Sequence, residues 1–354
     1  MLEALVHHPL RVSVHRIRIP QPEAHEVLIQ VHVSGTNPKD YKRPAWNAEY
    51  NGSNQGDDIA GVVAAVGSSV TQFKPGDRVG AFHRMQSRGG SYAEYAIAPE
   101  YSTFHIPSTT SFEEAATIPL AAMTAALGLF VRLGLPEPWL ANAHPDTLPK
   151  GGLVVYGAAS AVGAYAVQLA VRASIHPIIA VAGKGIPFVQ NMLHPSQGDV
   201  VVDYRQGNES VVDAIRAAVP KGQKLEYAFD AVSEKEKSSY ANICQVLDHD
   251  VGRLTLVLPA AKDDPDMPGT VTTTLTMVNS VHAGGPDRDF GYAWLRLFEA
   301  GLKDGWFKPH PYQVVPGGLD GVEEALRNLK EGKASATKYV LRIAETKELK
   351  DTTS

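Results

Sequence analysis

The sequence predicts an α/β protein in two parts, a small antiparallel β-barrel followed by a doubly wound parallel sheet. Three observations carry the prediction. From Glu26, the residues Val27, Ile29, Val31 and Val33 alternate with Leu28, Gln30, His32 and Ser34, the period of two that marks a strand with one buried face. Gly56 to Val79 continues in short β-branched runs cut by glycines, which reads as antiparallel strands joined by tight turns. From Leu153, strand-like and helix-like segments alternate at the spacing of βαβ units.

The 354 residues accommodate two domains of about 150 residues each, with a cleft expected between them. After Ser111 the character changes: Phe112 to Ala116 and Leu120 to Leu133 carry helix formers, and the first boundary falls near residue 120. Leu135 to Lys150 holds four prolines and little periodicity, and reads as a surface loop. Strands are expected at Leu153–Tyr156, Pro177–Val181, Val200–Val202, Tyr227–Asp230 and Arg253–Leu258, with helices near 161–173, 185–193, 208–219 and 234–247. Val271 to Val281, rich in Thr, reads as an edge strand. Glu323–Glu331 reads as a helix and Lys338–Ile343 as a last strand that returns to the first domain; the tail from Glu345 to Ser354 is polar enough to fray. The expected division is therefore 1–120, 121–294 and a return over 295–354.

Composition removes several function classes. With 33 Lys+Arg against 38 Asp+Glu the net charge is −5, so no basic excess exists to neutralise a nucleic acid or hold an anionic membrane. The start lacks the basic and apolar regions of a signal peptide. Gly151 to Val171 is uncharged, but its glycines break it into a strand, a turn and a helix rather than a membrane span. Cys244 is the single cysteine, which excludes an internal disulfide and a four-cysteine zinc site and suits the reducing cytoplasm. No donor set for a catalytic zinc occurs at usable spacing, no G-x-S-x-G elbow is present, and the histidines read as structural, His310 between two prolines as a surface or strand position.

The strongest local signal is Leu153-Val-Val-Tyr-Gly-Ala-Ala-Ser-Ala-Val-Gly163, a strand, a small-residue turn and a helix start. Unpaired N–H groups at Ser160, Ala161 and Val162 would receive a pyrophosphate, and Gly163 lets the helix pack on its strand. Against G-x-G-x-x-G only this last glycine survives, with Ala158 and Ser160 in the first two glycine positions. An NAD-binding fold places an acid at the end of its second strand for the ribose 2′-hydroxyl. Here stands Ala182-Gly183-Lys184, so Lys184 can meet a 2′-phosphate while Tyr204 flanks the adenosine side. NADPH is expected over NADH.

A wider pattern joins these pieces: Asn37-Pro-Lys-Asp-Tyr-Lys42, Gly56-Asp-Asp-Ile-Ala-Gly-Val-Val63, Phe73-Lys-Pro-Gly-Asp-Arg-Val79, Gly90-Ser-Tyr-Ala-Glu-Tyr95, Pro119-Leu-Ala-Ala-Met-Thr-Ala-Ala126 and the loop 157–163. The chain resembles the zinc-free medium-chain dehydrogenase/reductase superfamily, and within it the fungal enoyl reductases that act in trans on polyketide synthases, with quinone-oxidoreductase-like relatives. Val202-Asp-Tyr-Arg205, His310-Pro311 and Lys338-Tyr-Val-Leu-Arg342 add to the subfamily likeness. The resemblance implies a GroES-like β-barrel catalytic domain with a Rossmann cofactor domain, the active site in the cleft.

It further implies hydride transfer from NADPH to the β-carbon of an enoyl thioester or enone, free or carrier-bound. Lys42 matches the lysine beside the nicotinamide that anchors the ribose or stabilises the enolate; Tyr41, read as a strand residue, is a second proton-donor candidate, and Thr124 matches the family's threonine beside the nicotinamide. Lys39 is implied to touch the cofactor, as is the backbone of Leu258 after its strand. Three readings remain open on the sequence: a trans-acting enoyl reductase, a quinone or small-enone reductase, and a cofactor-binding relative without turnover.

Overall fold

A computed structural model of the chain describes residues 1–261 and 264–347; of the polar tail, residues 348–354 lie outside the described residues. The chain opens with a hairpin, β1 (Leu2–His7) and β2 (Arg11–Arg16), then β3 (Glu26–Gly35), helix α1 (Lys39–Trp46), β4 (Asp58–Val66), β5 (Arg78–Phe82), β6 (Tyr95–Pro99) and β7 (Thr103–His105). Next come α2 (Phe112–Ala115), α3 (Pro119–Ala126), a π-helical turn at Leu127–Arg132 and α4 (Pro138–Ala143). The middle alternates β8 (Leu153–Tyr156), α5 (Ala161–Arg172), β9 (Ile178–Ala182), α6 (Ile186–Gln190), β10 (Val200–Asp203), α7 (Asn208–Ala218), β11 (Tyr227–Asp230), α8 (Ser239–Cys244), β12 (Arg253–Leu256) and β13 (Thr272–Leu275). The end holds α9 (Pro286–Asp304), β14 (Tyr312–Val314), α10 (Val322–Lys330) and β15 (Lys338–Arg342).

Two units divide this chain, Met1–Met123 with Asn279–Ser354, and Thr124–Val278. The return to the first unit thus begins before residue 295. The reason lies in α9: Gly291 packs on Val281 and Met123, and Glu299 accepts from the His105 N–H at 3.1 Å, so the whole helix belongs with the barrel strands.

The first unit is built on a sheet ordered β14-β15-β3-β4-β5-β7, with β6 also paired to β3. Alternation in β3 holds where Gln30 and His32 are exposed and Val31 and Val33 buried. It breaks at Leu28 and Ser34, which are buried on the other face, Ser34 against the Ser91 hydroxyl at 2.7 Å. Val27, Ile29 and Val31 join Ile59, Val63, Val79 and Leu326 in one core. β15 pairs antiparallel with β3, Val340 opposite Gly35, which brings the returning chain into the sheet of the first unit.

The second unit is a six-stranded, all-parallel sheet in the order β10-β9-β8-β11-β12-β13, with β8 buried at every position. Strand order reverses between β8 and β11, and in open parallel sheets such a switch point opens a crevice beyond the carboxyl ends of the two strands. β13 is the far edge, but it stops at Leu275 and the chain continues as a 3₁₀ turn at Val278–His282.

Several local expectations are corrected. α4 occupies the proline-rich segment, because Pro138 stands at its first position, where a missing N–H costs nothing. Tyr41 lies on α1 rather than a strand. His310 is 1% exposed and so is neither a surface nor an open strand position. The helical stretch Phe112–Arg132 is apolar and long enough to cross a membrane, but 89% of its most apolar window is buried inside the protein, as in a core helix.

Candidate functional site

In the second unit the phosphate loop has the geometry of an anion cradle. Gly157 takes φ +77°, a left-handed conformation that glycine adopts without cost, and turns the chain out of β8. Ser160 caps α5, its hydroxyl accepting from the Gly163 N–H at 3.0 Å. Its own N–H donates to Gly157 O at 2.8 Å, which removes Ser160 from the expected set of unpaired donors. The N–H groups of Ala161 and Val162 have no acceptor among the described residues, as the first turn of a helix requires. A Cβ at Gly163 would stand 2.2 Å from Gly157 O, so only glycine lets α5 approach the loop. These groups fit a pyrophosphate.

At the end of β9, Gly183 is buried under the Tyr204 ring, which is itself 48% exposed. Lys184 is exposed and has no hydrogen-bond or ion-pair partner among the described residues, whereas Arg205 is committed to Asp203 through two hydrogen bonds of 2.8 and 2.6 Å. Leu258 follows β12, half-buried. Asp230, at the carboxyl end of β11, escaped the sequence reading. It accepts from Ser239 Oγ at 2.6 Å and from the N–H groups of Val232 and Ser233 at 2.9 Å each, and burial pushes its carboxyl up to about 6 despite those donors. It shapes the turn beside the phosphate loop. Cys244 is buried nearby in α8, and burial with the Asp230 charge pushes its thiol up to about 12, an inert form at neutral pH.

In the first unit the Asn37-Pro-Lys-Asp element forms the start of α1. Its polar residues join two buried networks. Asp58 is fully buried: Asn37 Nδ2 and Lys338 Nζ donate to it at 2.7 Å each, and the Leu120 N–H at 2.7 Å. One carboxylate thereby joins the segment just before α1 to β4, α3 and β15. In the second network Lys39 lies 2.6 Å from Asp40 Oδ1, contacts Asp57 Oδ2, and donates to Gln55 O at 2.6 Å. His83 Nδ1 meets Asp57 Oδ1 at 2.7 Å. Burial would raise the Asp57 carboxyl, but the Lys39 charge and the His83 bond outweigh it and hold it at about 2. The Tyr92 hydroxyl donates to Asp40 at 2.6 Å; burial and the Asp40 charge push that phenol well above its ordinary range, so it stays protonated.

The three predicted catalytic residues have different settings. Lys42 is half-buried on α1, with its ammonium 6.0 Å from the Tyr41 ring centroid. Tyr41 packs against the barrel core. Thr124 is 4% exposed within α3, one turn beyond Leu120. Lys39, expected to touch cofactor, directs its ammonium at Asp40, Asp57 and Gln55. None of these residues lines a cavity of about 650 Å³ in the first unit, among Glu26, Arg84, Glu100, Tyr101, Arg288 and Tyr292. Among the described residues no cluster of three or more His, Cys, Asp or Glu is arranged to hold a metal.

Residues 23–108 match the family described as Alcohol dehydrogenase GroES-like domain. The chain is 45% identical over 321 residues to trans-enoyl reductase fsr4 of Gibberella fujikuroi, covering 91% of this chain and 92% of the relative. It is 28% identical to the enoyl reductase component lovC of lovastatin nonaketide synthase from Aspergillus terreus, covering 90% and 89%. A putative zinc-dependent alcohol dehydrogenase from Rhizobium etli shares the fold at a TM-score of 0.80 and 23% identity, over 97% of this chain and 98% of that one.

Proposed function

Because the chain belongs to the trans-enoyl reductases of the medium-chain dehydrogenase/reductase superfamily, we propose that it reduces the activated C=C bond of an enoyl thioester for a polyketide synthase, using NADPH in the cytoplasm. The reduction rests on the 45% identity to fsr4 along nine-tenths of both chains. The preference for NADPH is supported by Lys184, an exposed cation without a partner at the end of β9, where no acid stands.

In this reading the Ala161 and Val162 N–H groups take the pyrophosphate, while the Ser160 cap and Gly163 hold that turn in place. Gly183 and Tyr204 form the adenosine wall, Lys184 meets the 2′-phosphate, and Leu258 offers its backbone to the nicotinamide. A bound NADPH would supply a hydride to the substrate β-carbon. The Lys42 ammonium would stabilise the negative charge that then develops on the thioester oxygen, and water would supply the proton that the α-carbon takes. Thr124 contributes a hydroxyl to the carboxamide or substrate. Tyr41 supports Lys42 by packing beneath it, and Lys39 acts through Asp40 and Asp57, fixing the start of α1.

The test is NADPH and NADH titration followed by NADPH oxidation with a crotonyl-pantetheine thioester, a simple enone and a quinone. Selective NADPH use with thioester turnover is expected. Turnover confined to the quinone would replace this reading with a quinone reductase, and tight NADPH binding with no oxidation would point to a non-catalytic role.

A further inference from the structure

α1 is anchored from beneath by Asp40 and Pro44, both buried. Tyr92, the Asn37 N–H at 2.7 Å and Lys39 all hold Asp40, which fixes the rotation of the helix about its own axis. At roughly 100° per residue, Lys42 lies opposite them, and Lys42, Trp46 and Arg43 span a sector of about 100° that runs from there to the flank of the helix. Trp46 lies in the middle of that sector and is 59% exposed, the most exposed large apolar side chain among the described residues.

Arg43 is equally well placed. Its guanidinium rests on the Tyr50 ring, 4.7 Å from the centroid, and has no carboxylate or carbonyl partner among the described residues. Tyr50 is in turn clamped, its carbonyl accepting from Ser53 Oγ at 2.8 Å and Gln55 Nε2 at 3.2 Å. A stacked guanidinium keeps its planar fork of donors free, oriented for a phosphate rather than for a point charge. The exposed indole beside it offers an apolar face that water solvates poorly.

We propose that this face of α1 binds the phosphopantetheine arm of the thioester, with Arg43 taking the phosphate and Trp46 packing on the branched apolar segment next to it. The proposal rests on the enoyl-thioester reading and names how that substrate is held. It leaves Lys42, one turn before Trp46, at the thioester end. The same arm occurs on a carrier domain and in coenzyme A, and both present a phosphoryl group to Arg43.

The experiment compares crotonyl-pantetheine with crotonyl-4′-phosphopantetheine in the wild type, Arg43→Ala, Trp46→Ala and Trp46→Phe. The wild type should favour the phosphorylated thioester by about tenfold in KM, the worth of one charge-assisted pair. Arg43→Ala should bring the ratio of the two KM values to near one. Trp46→Ala should raise KM for both thioesters with kcat retained, and Trp46→Phe should restore it. Quenching of tryptophan fluorescence by unacylated 4′-phosphopantetheine, compared with pantetheine, reads the same preference without turnover. Equal KM values in the wild type, or a phosphate preference that survives Arg43→Ala, overturns the proposal. If neither thioester is turned over while phosphopantetheine still binds through Arg43, the reductase reading fails and the binding face stands. A carrier-loaded crotonyl group and crotonyl-coenzyme A, run alongside, show which source of the arm is preferred.

Discussion

Tyr204 lies over Gly183 so closely that a methyl group at position 183 would come within 2.5 Å of the tyrosine ring. The ring is the mobile end of a half-exposed side chain, so it can swing away and the sheet need not yield. Gly183→Ala should therefore leave stability within about 0.5 kcal/mol of the wild type. It should raise the NADPH dissociation constant several-fold, on the order of the ~1 kcal/mol that one aromatic contact supplies. Thermal unfolding and fluorescence titration separate the two effects; a large loss of stability with unchanged binding would show that the contact serves the fold alone.

Lys184→Ala removes the cation proposed for the 2′-phosphate. A charge-assisted hydrogen bond contributes roughly 1.5–3 kcal/mol, so NADPH affinity should fall by about tenfold or more while NADH affinity hardly changes. Titration of both nucleotides decides it. Equal losses would move the choice of cofactor to another residue.

The elements easiest to read in the sequence were those whose partners are local. The alternation in β3 and the spacing from β8 to β12 follow from backbone periodicity, and both are present in the structure. The buried pairs were invisible for the opposite reason. Asp57 and His83 stand 26 positions apart and Lys338 and Asp58 280 apart, so no local pattern announces either contact. The resemblance implied that Lys39 touches the cofactor, whereas folding surrounds its ammonium with two carboxylates. Tyr41 read as a strand residue between β-like segments, although Pro38 followed by the acid Asp40 is a sound helix start.

Lys42→Ala should lower kcat by about a hundredfold, the usual effect of deleting one donor that stabilises a developing oxyanion. The side chain is half-buried on a short helix, so thermal stability should change little. Steady-state kinetics with crotonyl-pantetheine read the outcome. Unchanged kcat with a raised KM for NADPH would instead give Lys42 the ribose-anchoring role.

Lys338→Met leaves Asp58 buried with its charge uncompensated. Breaking a buried ion pair on one side costs about 3–5 kcal/mol, far more than the pair itself contributes. Adding Asp58→Asn should recover a large part of that loss, because the remaining amides can pair without charge. Urea unfolding of the single and double variants measures it, and a single-variant loss below about 1 kcal/mol would mean that water reaches Asp58.

Stability should fall on mild acidification, and the sign follows from three buried groups. Burial, opposed by the Asp57 charge, holds His282 at about 3, and burial with the Lys338 charge holds His310 at about 3. Both titrate near 6.5 when unfolded, so between pH 6.5 and 3 the unfolded chain binds more protons and stability drops as pH falls. Asp230 acts the other way: its folded value of about 6 exceeds the unfolded one, so the native state gains protons between pH 6 and 3.8. By pH 5 each histidine costs about 2 kcal/mol and Asp230 returns about 1.4, for a net loss of roughly 2–3 kcal/mol relative to pH 7. Urea midpoints at the two pH values test this, and His310→Gln should remove a large share of the drop. A stability that rises between pH 7 and pH 5 would show that Asp230 dominates and that the two imidazoles are solvated.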